Sequence, residues 1–170
     1  MKHVSPLLLS GILFAAILPL AHAADTVSAA DRAFVAKVSQ GGMFEVKLGE
    51  VAGNQGNVQD IKDQGITEAH DHGLVGDKLK SIASDVGITF PDTLNPPFQK
   101  QLDGLKAMSG PAFDNAYLHA MEVIHTKDGA AFATEAASGT NPKLRAFARE
   151  THRIVERHLG ELHGVGPETN

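Results

Sequence analysis

The sequence predicts an all-α protein, an up-down bundle of four long helices with one long connection. Three observations point there. Apolar residues recur at steps of three and four over long stretches, the period of a helix with one buried face. Clusters of Gly, Asn, Ser and Pro near residues 53, 87 and 138 punctuate those stretches. Alanine is abundant, tryptophan and cysteine are absent, and aromatic residues make up only 5% of the chain, a composition suited to close-packed helices.

The first segment stands outside the bundle. Lys2 precedes an apolar run from Leu7 to Leu20, and Ala21-His22-Ala23 places small residues at the two positions a signal peptidase reads. A secretory signal peptide is expected over residues 1–23, followed by a helical domain over 24–170 with its core at about 31–162. The apolar run is about fourteen residues, short of the roughly twenty that cross a membrane. No cysteine follows it to carry a lipid anchor. The mature chain is therefore expected in the periplasm, without a transmembrane span. Lacking disulfides, it must be held by packing, or by packing and a metal. Acidic residues outnumber basic ones 20 to 15, for a net charge of −5, which excludes the basic face that nucleic acid requires.

The first helix is expected from about Ala29 to Ala52, with Phe34, Val35, Val38, Gly42, Val46 and Gly49 near one face. Its glycines weaken helix propensity but let a neighbouring helix approach closely. After the turn signal "GNQGN", the second helix runs from about Val58 to Val86. Its stripe is Val58, Ile61, Gly65, Ala69, His72, Val75, Leu79, Ile82 and Val86. The segment Gly87 to Pro97 is a connection whose prolines forbid a helix through it, with a short helix expected at Phe98 to Met108. Ser109 is a plausible cap for the third long helix, which Pro111 suits in its first turn and which ends near Ala137. The fourth covers about Pro142 to Leu162, with Leu144, Phe147, Thr151, Ile154, Val155, His158 and Leu162 on one face, and the tail from His163 is expected to fray. If the connection runs the length of the bundle, the second and third long helices are parallel; if not, they are antiparallel. The sequence leaves both open.

Several blocks in order carry a family resemblance. They are "FVAKVSQGGMFEVKLGEVA" (Phe34 to Ala52), Asp71-His72, "MSGPAFDNAYL" (Met108 to Leu118), His125 with "FATEAASGTNPKLRAFA" (Phe132 to Ala148), and His158-Leu159. From about Ala33 to Leu162 the chain resembles the DUF4142 family. That resemblance implies an exported bacterial protein with a ferritin-like four-helix fold. An outer-membrane barrel does not fit, because no alternating ten-residue strand pattern is present.

Seven histidines lie beyond residue 23. His70, His119 and His152 point outward and His163 lies near the end, whereas His72, His125 and His158 each fall on the inner stripe of a different helix. Glu45 sits at the edge of the first helix's apolar face. One polar ligand type per helix is thus available, and imidazole with carboxylate suits Zn, Cu, Fe or Ni. By analogy, ferritin-like di-iron sites use Glu-x-x-His on two helices and a single Glu on each of the others. Glu122-Val-Ile-His125 is one such motif, but Ala69 and Val155 stand three residues before His72 and His158. The expected set is His72, His125 and His158 with Glu45 and Glu122, holding at most one metal ion if the three rings share an axial level.

The alternative is structural: a buried histidine hydrogen-bonded to Asp71, Tyr117, Thr151 or Glu45. Enzymatic function is not expected. There is no cysteine, no G-x-S-x-G and no phosphate loop, and Met43, Met108 and Met121 read as packing residues. The expected partner is a metal ion or another envelope protein. The rival readings are a di-metal oxidoreductase-like protein and an envelope stress or interaction protein whose histidines are purely structural.

Overall fold

The computed structural model describes residues 26–164; the expected signal peptide and the tail beyond Gly164 lie outside the described residues. The described chain is all-helical: α1 (Ala29–Gln55), α2 (Gln59–Asp85), α3 (Pro96–Lys106), α4 (Gly110–Ser138) and α5 (Pro142–Gly164). No described helix is long and apolar enough to cross a membrane.

Local chemistry accounts for several ends. Ser28 caps α1 in a capping box: its Oγ accepts from Asp31 N at 3.0 Å, and its own N donates to Asp31 Oδ2 at 2.7 Å. Asn95 caps α3 by accepting from Phe98 N at 3.0 Å. Pro96 and Pro97 then occupy the first turn, where a missing N–H costs nothing, so α3 starts two residues before the expected Phe98. Ser109 stands at the N-cap of α4, but its side chain makes no capping hydrogen bond.

Two hydrogen bonds fix the path of the chain. Asn57 N, in the α1–α2 turn, donates to Asp114 Oδ1 at the start of α4 (2.8 Å). Thr140 N, just past the end of α4, donates to Asp31 Oδ1 at the start of α1 (2.8 Å). α4 therefore runs antiparallel to α1 and parallel to α2, and the connection between α2 and α4 travels the length of the molecule. α3 rides on that connection and packs on α1, with the Phe44 and Phe98 rings 5.0 Å apart. The molecule is thus two helical hairpins, α1–α2 and α4–α5, set against each other.

The hairpins bury two apolar clusters, not one. Phe44, Leu48, Ile61, Phe113, Tyr117 and Met121 lead the first, and Phe34, Val35, Leu79, Phe132, Leu144 and Phe147 the second. Between them every long helix turns polar inside: Glu45 on α1, Gln64, Glu68 and His72 on α2, His125 and Asp128 on α4, and His158 on α5 are all buried. The α1–α2 approach beside this layer is made by Gly49 and Gly65. A Cβ on Gly49 would lie 2.6 Å from the Gly65 carbonyl oxygen, and one on Gly65 would lie 2.7 Å from that of Gly49.

Candidate metal centre

α2 brings Glu68 and His72 to one face because they are four residues apart, one above the other on a helix. α4 contributes His125 and α5 His158. All four side chains are at most 2% exposed. His72 Nε2, His125 Nε2 and His158 Nδ1 form a triangle with sides of 3.3, 3.2 and 3.3 Å. Glu68 Oε2 stands over it, 3.3 Å from His72 Nε2, 3.3 Å from His125 Nε2 and 3.1 Å from His158 Nδ1. Three nitrogens and one oxygen occupy the corners of a nearly regular tetrahedron. Among the described residues this His/Glu group is able to hold a metal ion.

The outward ring nitrogens have their own partners. His72 Nδ1 lies 3.0 Å from Glu45 Oε2. His125 Nδ1 lies 2.8 Å from the Met121 carbonyl oxygen and 3.6 Å from Glu45 Oε1. His158 Nε2 lies 3.1 Å from Asp71 Oδ2, and Arg157 pairs with the same carboxylate while its Nη2 lies 3.0 Å from that ring nitrogen. Carboxylate and carbonyl oxygens only accept, so the outward nitrogens of neutral His72 and His125 rings carry the proton, while His158 Nε2 faces both the acceptor Asp71 Oδ2 and the donor Arg157 Nη2. With neutral rings, lone pairs on His72 Nε2 and His125 Nε2 point inward, together with the Glu68 oxygen and His158 Nδ1. Glu68 Oε2 has no partner with hydrogen-bond geometry despite the three nitrogens around it. Such a donor set could hold a metal ion.

Without an ion, the electrostatics favour protons on the rings. Burial alone would push the His72 ring toward its neutral form, but the Glu45 and Glu68 carboxylates outweigh it and hold His72 up to about 10. His125 is raised in the same way, burial opposing and Glu68 and Glu45 prevailing. Burial would also raise both carboxyls, yet His72 and His125 hold Glu45 low, and all three histidines hold Glu68 well below the usual carboxylate range. Positive charge is required at this point, and either protons or a metal ion supplies it.

The expected site residues separate clearly. His72, His125 and His158 come together. Glu45 joins them, but on the far nitrogens of His72 and His125, as an orienting carboxylate. Glu122 does not: its side chain is 54% exposed and lies 3.8 Å from the His163 ring. A helical Glu-x-x-His spacing brings both side chains inside only when the inner face is wide enough, and here His125 takes the inside alone. The expectation of one ligand type per helix is corrected too, since α2 supplies two. The residue missed is Glu68. Steps from Ile61 through Gln64 and Glu68 to His72 follow helical spacing as well as those through Gly65 and Ala69, but a search for apolar stripes selects Ala69.

These features define an all-helical protein with a buried His/Glu centre at the junction of two hairpins. The profile of the family described as "Domain of unknown function (DUF4142)" matches residues 18–165, and the chain belongs to that family. In fold it is similar to the crystal structure of a DUF305 fragment from Deinococcus radiodurans, with a TM-score of 0.71 and 12% sequence identity over 82% of this chain and 96% of that one. A comparison with curated proteins gave no significant match.

Proposed function

We propose that this is an exported, periplasmic protein of ferritin-like four-helix architecture that holds one transition-metal ion, zinc in preference, at a closed His72/His125/His158/Glu68 centre. The tetrahedron carries the assignment. With edges of 3.1–3.3 Å, its centre lies about 2.0 Å from each corner, the distance at which Zn2+ binds imidazole nitrogen and carboxylate oxygen. Copper(II) and nickel(II) favour square-planar or tetragonal sets, and non-haem iron sites keep positions open. A ferritin-type di-iron site needs a second Glu-x-x-His and more carboxylates than converge here. All four positions come from the protein, which supports a structural or carrier role over a catalytic one.

Glu45, the Met121 carbonyl and Asp71 orient the rings and fix their tautomers, as outer partners of zinc histidines do. Export rests on the sequence before Ala24, and the bundle reading is supported by the packing of the α1–α2 and α4–α5 hairpins against each other.

The test is metal analysis of untagged protein purified from the periplasm, with His125→Ala and Glu68→Ala beside the wild type. One equivalent of zinc in the wild type, lost in both variants, is the expected result. Added zinc at about 100 times its dissociation constant should stabilise the wild type by about 2.7 kcal/mol. Folded, metal-free wild type whose melting temperature is unmoved by zinc, copper or iron would leave a proton-filled network of buried ion pairs instead.

A further inference from the structure

All four ligand side chains are buried, so the ion needs a way in, and the seam between α2 and α5 has the features of one. These helices approach each other far less closely than the two helices within either hairpin. A groove of about 210 Å³ opens between them, lined by Asp71, Leu74, Lys78, Glu150, Ile154 and Arg157. Across the seam run three ion pairs: Asp71 with Arg157, Lys78 with Glu150 at 2.6 Å, and Asp85 with Lys143 at 3.1 Å.

The spacing of those pairs is regular. On α2 they fall at 71, 78 and 85, and on α5 at 157, 150 and 143, one heptad apart on each helix and in opposite directions. The signs alternate, −+− on α2 against +−+ on α5. A slip of one heptad either way sets like charges opposite each other: Asp71 against Glu150 and Lys78 against Lys143, or Lys78 against Arg157 and Asp85 against Glu150. The ladder therefore specifies both the antiparallel direction and the register of the seam. Asp71 belongs to the ladder and to the centre at once, since the oxygen that meets Arg157 also lies 3.1 Å from His158 Nε2.

We propose that this heptad-spaced ion-pair ladder is the latch of the metal centre, and that the ion enters and leaves where the α2–α5 seam opens at Asp71 and Arg157. The inference rests on the metal site proposed above. Ligands stand on both sides of the seam, Glu68 and His72 on α2 and His158 on α5, so parting the seam uncovers the centre while the α1–α2 and α4–α5 hairpins stay intact. Solvent-exposed pairs are screened by salt, which makes the latch sensitive to ionic strength. A bound ion ligated from both helices closes it.

Zinc release to excess EDTA, followed by stopped flow on the intact zinc-loaded protein, tests the latch. Wild-type release should quicken as sodium chloride is raised. Lys78→Glu, six residues beyond the ligand His72 on α2, should release zinc about two- to fivefold faster at low salt, as expected for losing one exposed pair. Adding Glu150→Lys to it should restore the wild-type rate, with equilibrium zinc content and helicity unchanged throughout. Lys78→Cys/Glu150→Cys bridged by a short bis-maleimide should release zinc more slowly than wild type, without salt dependence.

Wild-type release that ignores salt, or a bridged protein that releases zinc at the wild-type rate, would overturn the latch while leaving the centre standing. So would slowing by Gly76→Leu alone, which fills the cleft beside His72 between α1 and α2. Wild-type protein that binds no zinc would instead remove the centre, and the latch with it.

Discussion

Glu68 Oε2 lies 3.1 Å from His158 Nδ1, joining α2 of one hairpin to α5 of the other at the point where the two apolar clusters part. Among the described residues it is the one carboxylate oxygen that faces all three inward ring nitrogens. Glu68→Gln keeps the shape and removes the charge. Zinc binding should be lost, and with EDTA present the variant should be destabilised by about 3 kcal/mol or more, because buried imidazoles lose their counter-ion. Urea denaturation in EDTA measures this; wild-type stability there would show that Glu68 carries no buried charge balance.

Asp71 acts at one remove. Asp71→Ala leaves all four ligands in place but takes the acceptor from His158 Nε2. One equivalent of zinc should still bind, with affinity about 10- to 100-fold weaker. A competition titration against a chromogenic chelator reads the difference, and an unchanged affinity would mean that His158 needs no outer partner.

Glu122 supplies the opposite expectation. Its carboxylate lies on the surface beside His163, so Glu122→Ala should leave zinc stoichiometry and affinity alone and change stability by no more than about 0.5 kcal/mol. Loss of metal in this variant would return Glu122 to the ligand set.

At the far end of α4, Glu135 gives a pH dependence unconnected with the centre. Burial, and next the neighbouring Asp31 carboxylate, push Glu135 from its ordinary 4.5 up to about 7, with Arg145 opposing. The folded protein thus holds a proton that the unfolded chain releases near 4.5, so this group lowers stability as pH rises from about 4.5 to about 7. Glu135→Gln should remove that loss. Its melting temperature relative to wild type should be higher at pH 8 than at pH 5; a difference independent of pH would show that Glu135 titrates normally.

Close approach of α1 and α2 at Gly49 and Gly65 holds Glu45 and Glu68 on neighbouring helices. In Gly65→Ala the added methyl would meet Ala52 Cβ and the Gly49 carbonyl oxygen, each at 2.7 Å. The helices must part, at a cost of about 1–3 kcal/mol, and zinc affinity should fall with stability. Chemical denaturation with and without zinc separates the two effects.

Much of the site was legible before folding. His72, His125 and His158 sit among apolar residues at helical steps, and a histidine so placed is carried inside with its stripe. Glu45 was legible as an edge residue, but not which nitrogen it would face. Glu68 was hidden because a search for apolar stripes selects Ala69, and Glu122 was favoured because a spacing motif carries no information about which side of a helix faces in. α1 runs on past the expected Ala52 to Gln55, where the Gly56 N–H closes the last turn on the Ala52 carbonyl oxygen at 2.8 Å.

By itself the sequence determined the all-helical class, four long helices and their approximate ends, and three inward histidines, because helical periodicity and turn chemistry act over a few residues. Tertiary structure decided that α2 and α4 run parallel, that the three rings reach one level, and that Glu68 completes the tetrahedron while Glu45 and Asp71 stand behind it. Those facts depend on the path of a connection and on the closeness of helices far apart in the chain. Local spacing along one helix fixes the direction of a side chain, but not its height against another.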